Sequence, residues 1–363
     1  IGLWAVIAVI AFFICFGTTK ERVQPDPSQS MDVNDLADIK GKLHWPVLAL
    51  VGLGVCGYAL WHSREFVTGL ELEGWQFLAV LSIVRIAAVA CLFVPLWFSL
   101  PSSAQRDIVD LCRNGPWVAL FILTFFIFVN LAMRGSTTMY YFRYVVQGSS
   151  FVDWINESVI FWQERFRMSE GYLVSLLNFL GIGTTPIGVI LSKPLAIRFG
   201  KGNPFIVCLF LSACFILSFV LLPRNAVWAI LACQMLYNLS YGPTIPLLWA
   251  MMADAADYGE WTTGRRATGT VFATMMFSLN SGLALGGAFT GYMLSWYGYV
   301  EKAAEQSDRA TNGIIWLMSV YPATAFFIGV VALLLYKITR HMEHDISAEL
   351  SARRAKFVQT ENV

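Results

Sequence analysis

The sequence predicts an all-α polytopic membrane protein, and three observations carry that reading. Only 13% of its 363 residues are charged while 57% are hydrophobic, and the mean hydropathy is +0.60. A soluble domain carries about 25% charged residues. Apolar runs of about 17–25 residues recur, the length that crosses a bilayer core. Lys and Arg also alternate between the two sides of those runs, as expected when basic loops stay in the cytoplasm.

The runs divide the chain into nine expected spans: 1–17, 45–61, 76–99, 117–134, 172–192, 204–222, 226–251, 267–296 and 312–336. The first residue is Ile, inside the run IGLWAVIAVIAFFICF, with neither the basic start nor the cleavage site of a signal peptide. The chain therefore reads as a fragment that begins part-way through a transmembrane helix. Segment 24–44 carries Pro, Ser and Asp and reads as a polar linker. Segment 135–171 reads as an aromatic-rich loop lying at the membrane interface. Residues 337–363 read as a cytoplasmic tail with amphipathic helix. With Lys20 and Arg22 inside, the inner loops and tail hold about twice as many basic residues as the outer ones, Arg134 and Arg143 falling outside.

Net charge is +1, which suggests no nucleic-acid partner. The seven Cys include no CxxC pair and read as small apolar residues. His341, Glu343 and His344 in the tail read as solvated rather than metal-binding, and no metal site is expected. The Asn156–Ser158 sequon carries no information here, and Arg85 reads as snorkelling to the interface. An enzyme needs a nucleophile–base or metal constellation. The four His show none, so no enzyme is expected.

Charge is concentrated instead in MMADAADYGEWTTGRRATGT, residues 251–270. Asp254, Asp257 and Glu260 are too costly for the bilayer core and belong just beyond the span 226–251. Asp254 and Asp257, three apart, share a helix face. Acids at a helix C-terminus oppose the macrodipole and call for cations. Arg265, Arg266, Lys193, Arg198 and Lys201 are expected on the same side. Charge alone leaves two readings open, an ordinary polar loop or a gate.

The stretch ADAADYGEWTTGRRATG resembles the loop between helices ten and eleven of the glycoside–pentoside–hexuronide:cation symporters, the melibiose-permease-like family of the major facilitator superfamily. FFICFGTTKERV is similar to the end of that family's sixth helix. DIVDLCRNGPWVALFI and AMRGSTTMYYFRYVV resemble the entry and exit of its seventh. LSKPLAIRFGKGNPF is similar to its loop between helices eight and nine, and SGLALGGAFTGYML to its eleventh helix. The resemblance implies the last helix of the N-terminal half at 1–23, a linker at 24–44 and a six-helix C-terminal bundle at 101–336. It leaves 45–100 as an inserted transmembrane hairpin. It further implies a bacterial inner-membrane transporter of a sugar, glycoside or uronide, coupled to Na+ or H+ and working by alternating access. The charged loop then gates the cytoplasmic side through Asp254, Asp257, Glu260, Arg265, Arg266, Lys193 and Arg198.

Asn280 stands where many relatives carry a Lys, and Met275 and Met276 stand where melibiose permease is polar. An amide hydrogen-bonds hydroxyls but supplies no charge. A larger or less polar solute is therefore an alternative, as is a sensor that no longer transports. Polar residues within spans are few, among them Asn130 and Asn178. Gln234, Asn238 and Tyr241 recur at i, i+4, i+7 and form, with Asn280, the expected substrate-binding wall. Pro243 and Pro246 mark a broken helix whose freed carbonyls are expected at the site. Gly282, Gly286, Gly287 and Gly291 are expected at close helix contacts.

Overall fold

The computed structural model describes residues 102–146, 170–223, 226–265, 267–301, 303 and 305–361. The expected spans 1–17, 45–61 and 76–99, the linker, Arg85, Arg266 and most of 135–171 lie outside them. The chain divides at Arg106/Asp107, and the second unit runs from there to Val363. Its described residues are helical: α1 Ser102–Arg113, α2 Gly115–Tyr144, α3 Glu170–Phe199, α4 Gly202–Ser218, α5 Val227–Tyr241, α6 Thr244–Thr263, α7 Thr268–Trp296, α8 Asp308–Met318, α9 Val320–Leu333 and α10 Arg340–Glu361.

Among the described residues, four stretches are long and apolar enough to cross a membrane: Gly115–Tyr144, Leu177–Phe199, Thr268–Trp296 and Asp308–Leu333. Two expected spans are divided. The span 226–251 becomes α5 and α6, with the break at Gly242–Pro243. The span 312–336 becomes α8 and α9, with the break at Ser319.

The helix ends follow from their residues. The Asn114 side chain accepts from the Trp117 N–H at 3.1 Å and caps α2, and Pro116 fits the first turn, which needs no N–H. Ser307 caps α8 by accepting from Ala310 N–H. Gly264, at φ 70°, closes α6 in a left-handed conformation open to glycine, and its N–H donates to Glu260 O.

α2 is the axis of the bundle and packs most extensively against α7 and α9. Water does not drive such packing in lipid, so close approach matters. A Cβ on Gly282 would lie 2.5 Å from Phe125 O, and one on Gly286 2.7 Å from Val129 O. These two glycines seat α7 on α2. Gly287 and Gly291 face open space among the described residues, so they do not share that role. A second crossing joins α3 to the α5–α6 break. A Cβ on Gly188 would lie 2.4 Å from Leu239 O, and one on Gly242 2.6 Å from Thr185 O. Pro243 has no N–H, so Leu239 O lacks its usual i+4 donor. That freed carbonyl faces the Gly188 backbone rather than an open cavity.

Among the described residues, the buried side chains form two clusters. One holds Leu120, Leu123, Met251, Ala255 and Met275, and the other holds Tyr141, Phe142, Ile230, Leu294, Ile314 and Leu317. Outward positions such as Phe179, Ile182, Ile190 and Leu221 are apolar and exposed, as suits a lipid-facing surface.

Candidate functional site

Two regions carry the chemistry, and α6 joins them. The first is the charged end of α6. Lys201, in the turn between α3 and α4, bonds both carboxylate oxygens of Asp254 at 2.7 Å and Glu343 of α10 at 2.8 Å. Gly200 makes this reach possible, because its φ of 79° turns the chain sharply after α3. Burial alone lowers the Lys201 ammonium. Its hydrogen bonds to Asp254 and Glu343 outweigh that and hold it above the ordinary lysine value. Burial raises the Asp254 carboxyl, opposed by Lys201 and aided by the nearby Glu343 and Asp257.

Further contacts knit the same end. Arg265 bonds Asp110 of α1 at 3.1 Å. The Asn114 amide donates to Ala255 O at 3.0 Å, tying the start of α2 to α6. Trp261 donates to Glu349 of α10 at 2.7 Å, while Ile346 and Leu350 bury the inner face of that helix. The tail is therefore docked on the charged end. Between α1, α6 and the start of α7 lies a cavity of about 270 Å³, lined by Asp110, Arg113, Glu260 and Arg265 among others.

The expected gate residues are placed unevenly. Asp254 is inside the cluster, Asp257 is exposed beside it, and Glu260 and Arg265 line the cavity. Lys193 and Arg198 are exposed, and the Arg198 guanidinium lies 5.3 Å from the Phe199 ring centre. The cation that reaches Asp254 is Lys201. Sequence spacing could not select it among five basic residues, because the choice rests on the Gly200 turn.

The second region is the pocket near the α5–α6 break. It measures about 40 Å³ and is lined by Thr124, Phe128, Tyr241, Thr244, Trp249 and Met275, with other apolar residues and Met276. Tyr241, Tyr237 and Phe326 form a three-ring cluster with centroids 5.9–6.5 Å apart, and Trp249 lies parallel to Phe272. Thr244 donates its hydroxyl to Tyr241 O.

Of the expected wall, Tyr241 alone lines this pocket. Gln234 is buried and accepts from Arg134 at 2.5 Å. Asn238 donates to Gln234 O and accepts from Thr185 of α3. Asn280 is exposed and donates to Met276 O. The i, i+4, i+7 stripe exists, but its first member bonds α2 and its second bonds α3. A helix stripe spans enough arc for neighbouring residues to face different partners.

Arg134 departs most from expectation. The positive-inside count places it in an outer loop, but α2 continues ten residues past it, to Tyr144. Its side chain is 5% exposed, and its guanidinium lies 5.0 and 4.6 Å from the Phe219 and Tyr237 ring centres. Asn130 is buried on the same helix, whereas Asn178 is exposed. The described cysteines are unpaired, with Cys112 exposed and Cys208, Cys214 and Cys233 partly buried. Among the described residues no His, Cys, Asp and Glu group could hold a metal.

Residues 100–340 match the MFS/sugar transport protein family. The chain is 28% identical to the inner membrane symporter YicJ of Escherichia coli over 78% of this chain and 58% of that protein. It is 30% identical to the isoprimeverose transporter of Lactiplantibacillus pentosus over 91% of this chain and 65% of that one. It is 28% identical to the putative glycoside/cation symporter YagG of Escherichia coli, over 70% and 50%. The chain thus spans less than two thirds of the length of each. The matched proteins are named as transporters and symporters, not enzymes. Family match, helical fold and apolar spans agree: the chain belongs to the MFS/sugar transport protein family of multi-pass integral membrane proteins.

Proposed function

We propose that the protein is a secondary active transporter of a sugar or glycoside, driven by Na+ or H+ and working by alternating access. The observation that carries this reading is the charged end of α6, built at one end of an apolar bundle whose family is one of sugar transporters. Lys201, Asp254 and Glu343 join the α3–α4 turn, α6 and α10, all within one bundle. They hold that end rigid as a cytoplasmic rim. Asp257 and Glu260, farther along α6, and Arg266, which follows that helix in sequence, are the residues that close this rim against the rest of the transporter. Basic loops and the C-terminus lie on the cytoplasmic side.

The pocket beside Tyr241 forms part of the solute wall. Its methionines, Trp249 and Phe128 offer an apolar surface, and Tyr241 is its polar handle. That lining favours a second reading of the cargo, a solute larger or less polar than a simple sugar.

Uptake by proteoliposomes tests the proposal. Labelled sugars and aryl glycosides are supplied with an inward Na+ gradient, an inward H+ gradient or neither. Accumulation under one gradient is expected, and equal uptake under all three conditions overturns cation coupling. Asp257→Ala slows uptake while membrane insertion is unchanged, and unaltered kinetics count against its role in closure.

A further inference from the structure

Three buried polar atoms on one face of α2 have no hydrogen-bond partner among the described residues: Asn130 Oδ1, Arg134 Nη1 and Thr137 Oγ1. Their positions follow i, i+4, i+7 and make one stripe. The neighbouring groups are satisfied. The Asn130 amide nitrogen donates to Pro322 O at 2.8 Å, which fixes Oδ1 as the acceptor left over. Arg134 Nη2 donates to Gln234, and two aromatic rings flank the guanidinium, which leaves Nη1. Thr138 donates to Arg134 O at 2.7 Å. Two other buried atoms, Trp117 Nε1 and Tyr336 Oη, lack a partner as well, but these three share one face of α2, where Asn130 meets α9 and Arg134 meets α5.

Buried polar groups in native proteins find partners, and where protein supplies none, ordered water does. The chemistry of the three atoms selects the occupant. Asn130 Oδ1 needs a donor, Arg134 Nη1 needs an acceptor, and Thr137 accepts either. A bare halide offers no donor and a bare metal cation no acceptor. Water offers both. Asn130 and Thr137 lie about 10 Å apart along the helix axis, so one water cannot serve all three. We propose that α2 carries an internal water site centred on Arg134, a short file of ~2–3 molecules strung between Asn130 and Thr137. This site hydrates a guanidinium that has no ion pair among the described residues.

Two measurements on the whole protein in detergent test it. The first is thermal unfolding of Thr137→Val. If the hydroxyl bonds water, its loss lowers Tm. If it is truly unpaired, replacing it by a methyl leaves Tm unchanged or raises it. The second is radiolytic hydroxyl labelling with mass spectrometry, which oxidises buried sulfur beside bound water. Met318, 0% exposed, has its sulfur 4.0 Å from the hydroxyl of Thr138, next to the stripe, and Met251, 0% exposed in the other core, is the control. Oxidation of Met318 about tenfold above Met251 is expected. Labelling of Met318 at the Met251 level, or a Tm of Thr137→Val at or above the parent's, overturns the proposal.

Discussion

Lys201 reaches carboxylates from two helices, Asp254 of α6 and Glu343 of α10, at 2.7 and 2.8 Å. Its side chain is 23% exposed, so these are partly desolvated, charge-assisted bonds. Lys201→Met is expected to cost roughly 1.5–3 kcal/mol in chemical unfolding, while Lys201→Arg retains most of the stability. The pH dependence has a definite sign. A lysine raised in the folded state contributes stability that is whole below its unfolded value, about 10.4, and lost as pH rises through the folded value. Unfolding followed into that alkaline range should show this loss in the parent and not in Lys201→Met. Asp254 works the other way. Its raised carboxyl takes stability from the neutral protein and takes less as pH falls. The concentration of charge here was legible in the sequence, because acids cannot lie in the bilayer. The pairing was not, because it depends on a glycine turn. Arg134 was misplaced for a different reason. The charge rule treats a lone basic residue near a span end as loop, and nothing in AMRGSTTMYYFRY signals that the helix runs on.

At the scale of elements, the α3 crossing with the α5–α6 break depends on two glycines. Gly188→Ala and Gly242→Ala each drive a methyl into backbone and should cost about 1–3 kcal/mol. Gly287→Ala meets open space and should leave the unfolding midpoint of the bundle unchanged. A comparable loss in all three variants would show that backbone approach is not the cause. The break itself was legible from Pro243 and Pro246. The destination of its freed carbonyl was not, since a single helix does not reveal which neighbour crosses it. The glycine repeat in α7 shows the same limit: Gly282 and Gly286 meet α2, and Gly287 and Gly291, on other faces, do not.

At the scale of the whole molecule, the fold class was legible because bilayer length and the alternation of charge dictate it. Of the polar residues expected to form the solute wall, Gln234 and Asn238 make helix–helix hydrogen bonds, and the proposed wall beside Tyr241 is mostly apolar. Tyr241→Leu should therefore weaken solute affinity, whereas Asn280→Ala, whose amide donates to its own helix, should change it little. The central claim is vectorial movement of a sugar or glycoside, and substrate counterflow tests it most directly. Proteoliposomes are loaded with unlabelled solute and diluted into labelled solute, across a panel of sugars and aryl glycosides. The account predicts transient, saturable accumulation of at least one label, absent from protein-free vesicles. Folded protein that gives no counterflow above empty vesicles with any member of the panel would contradict it.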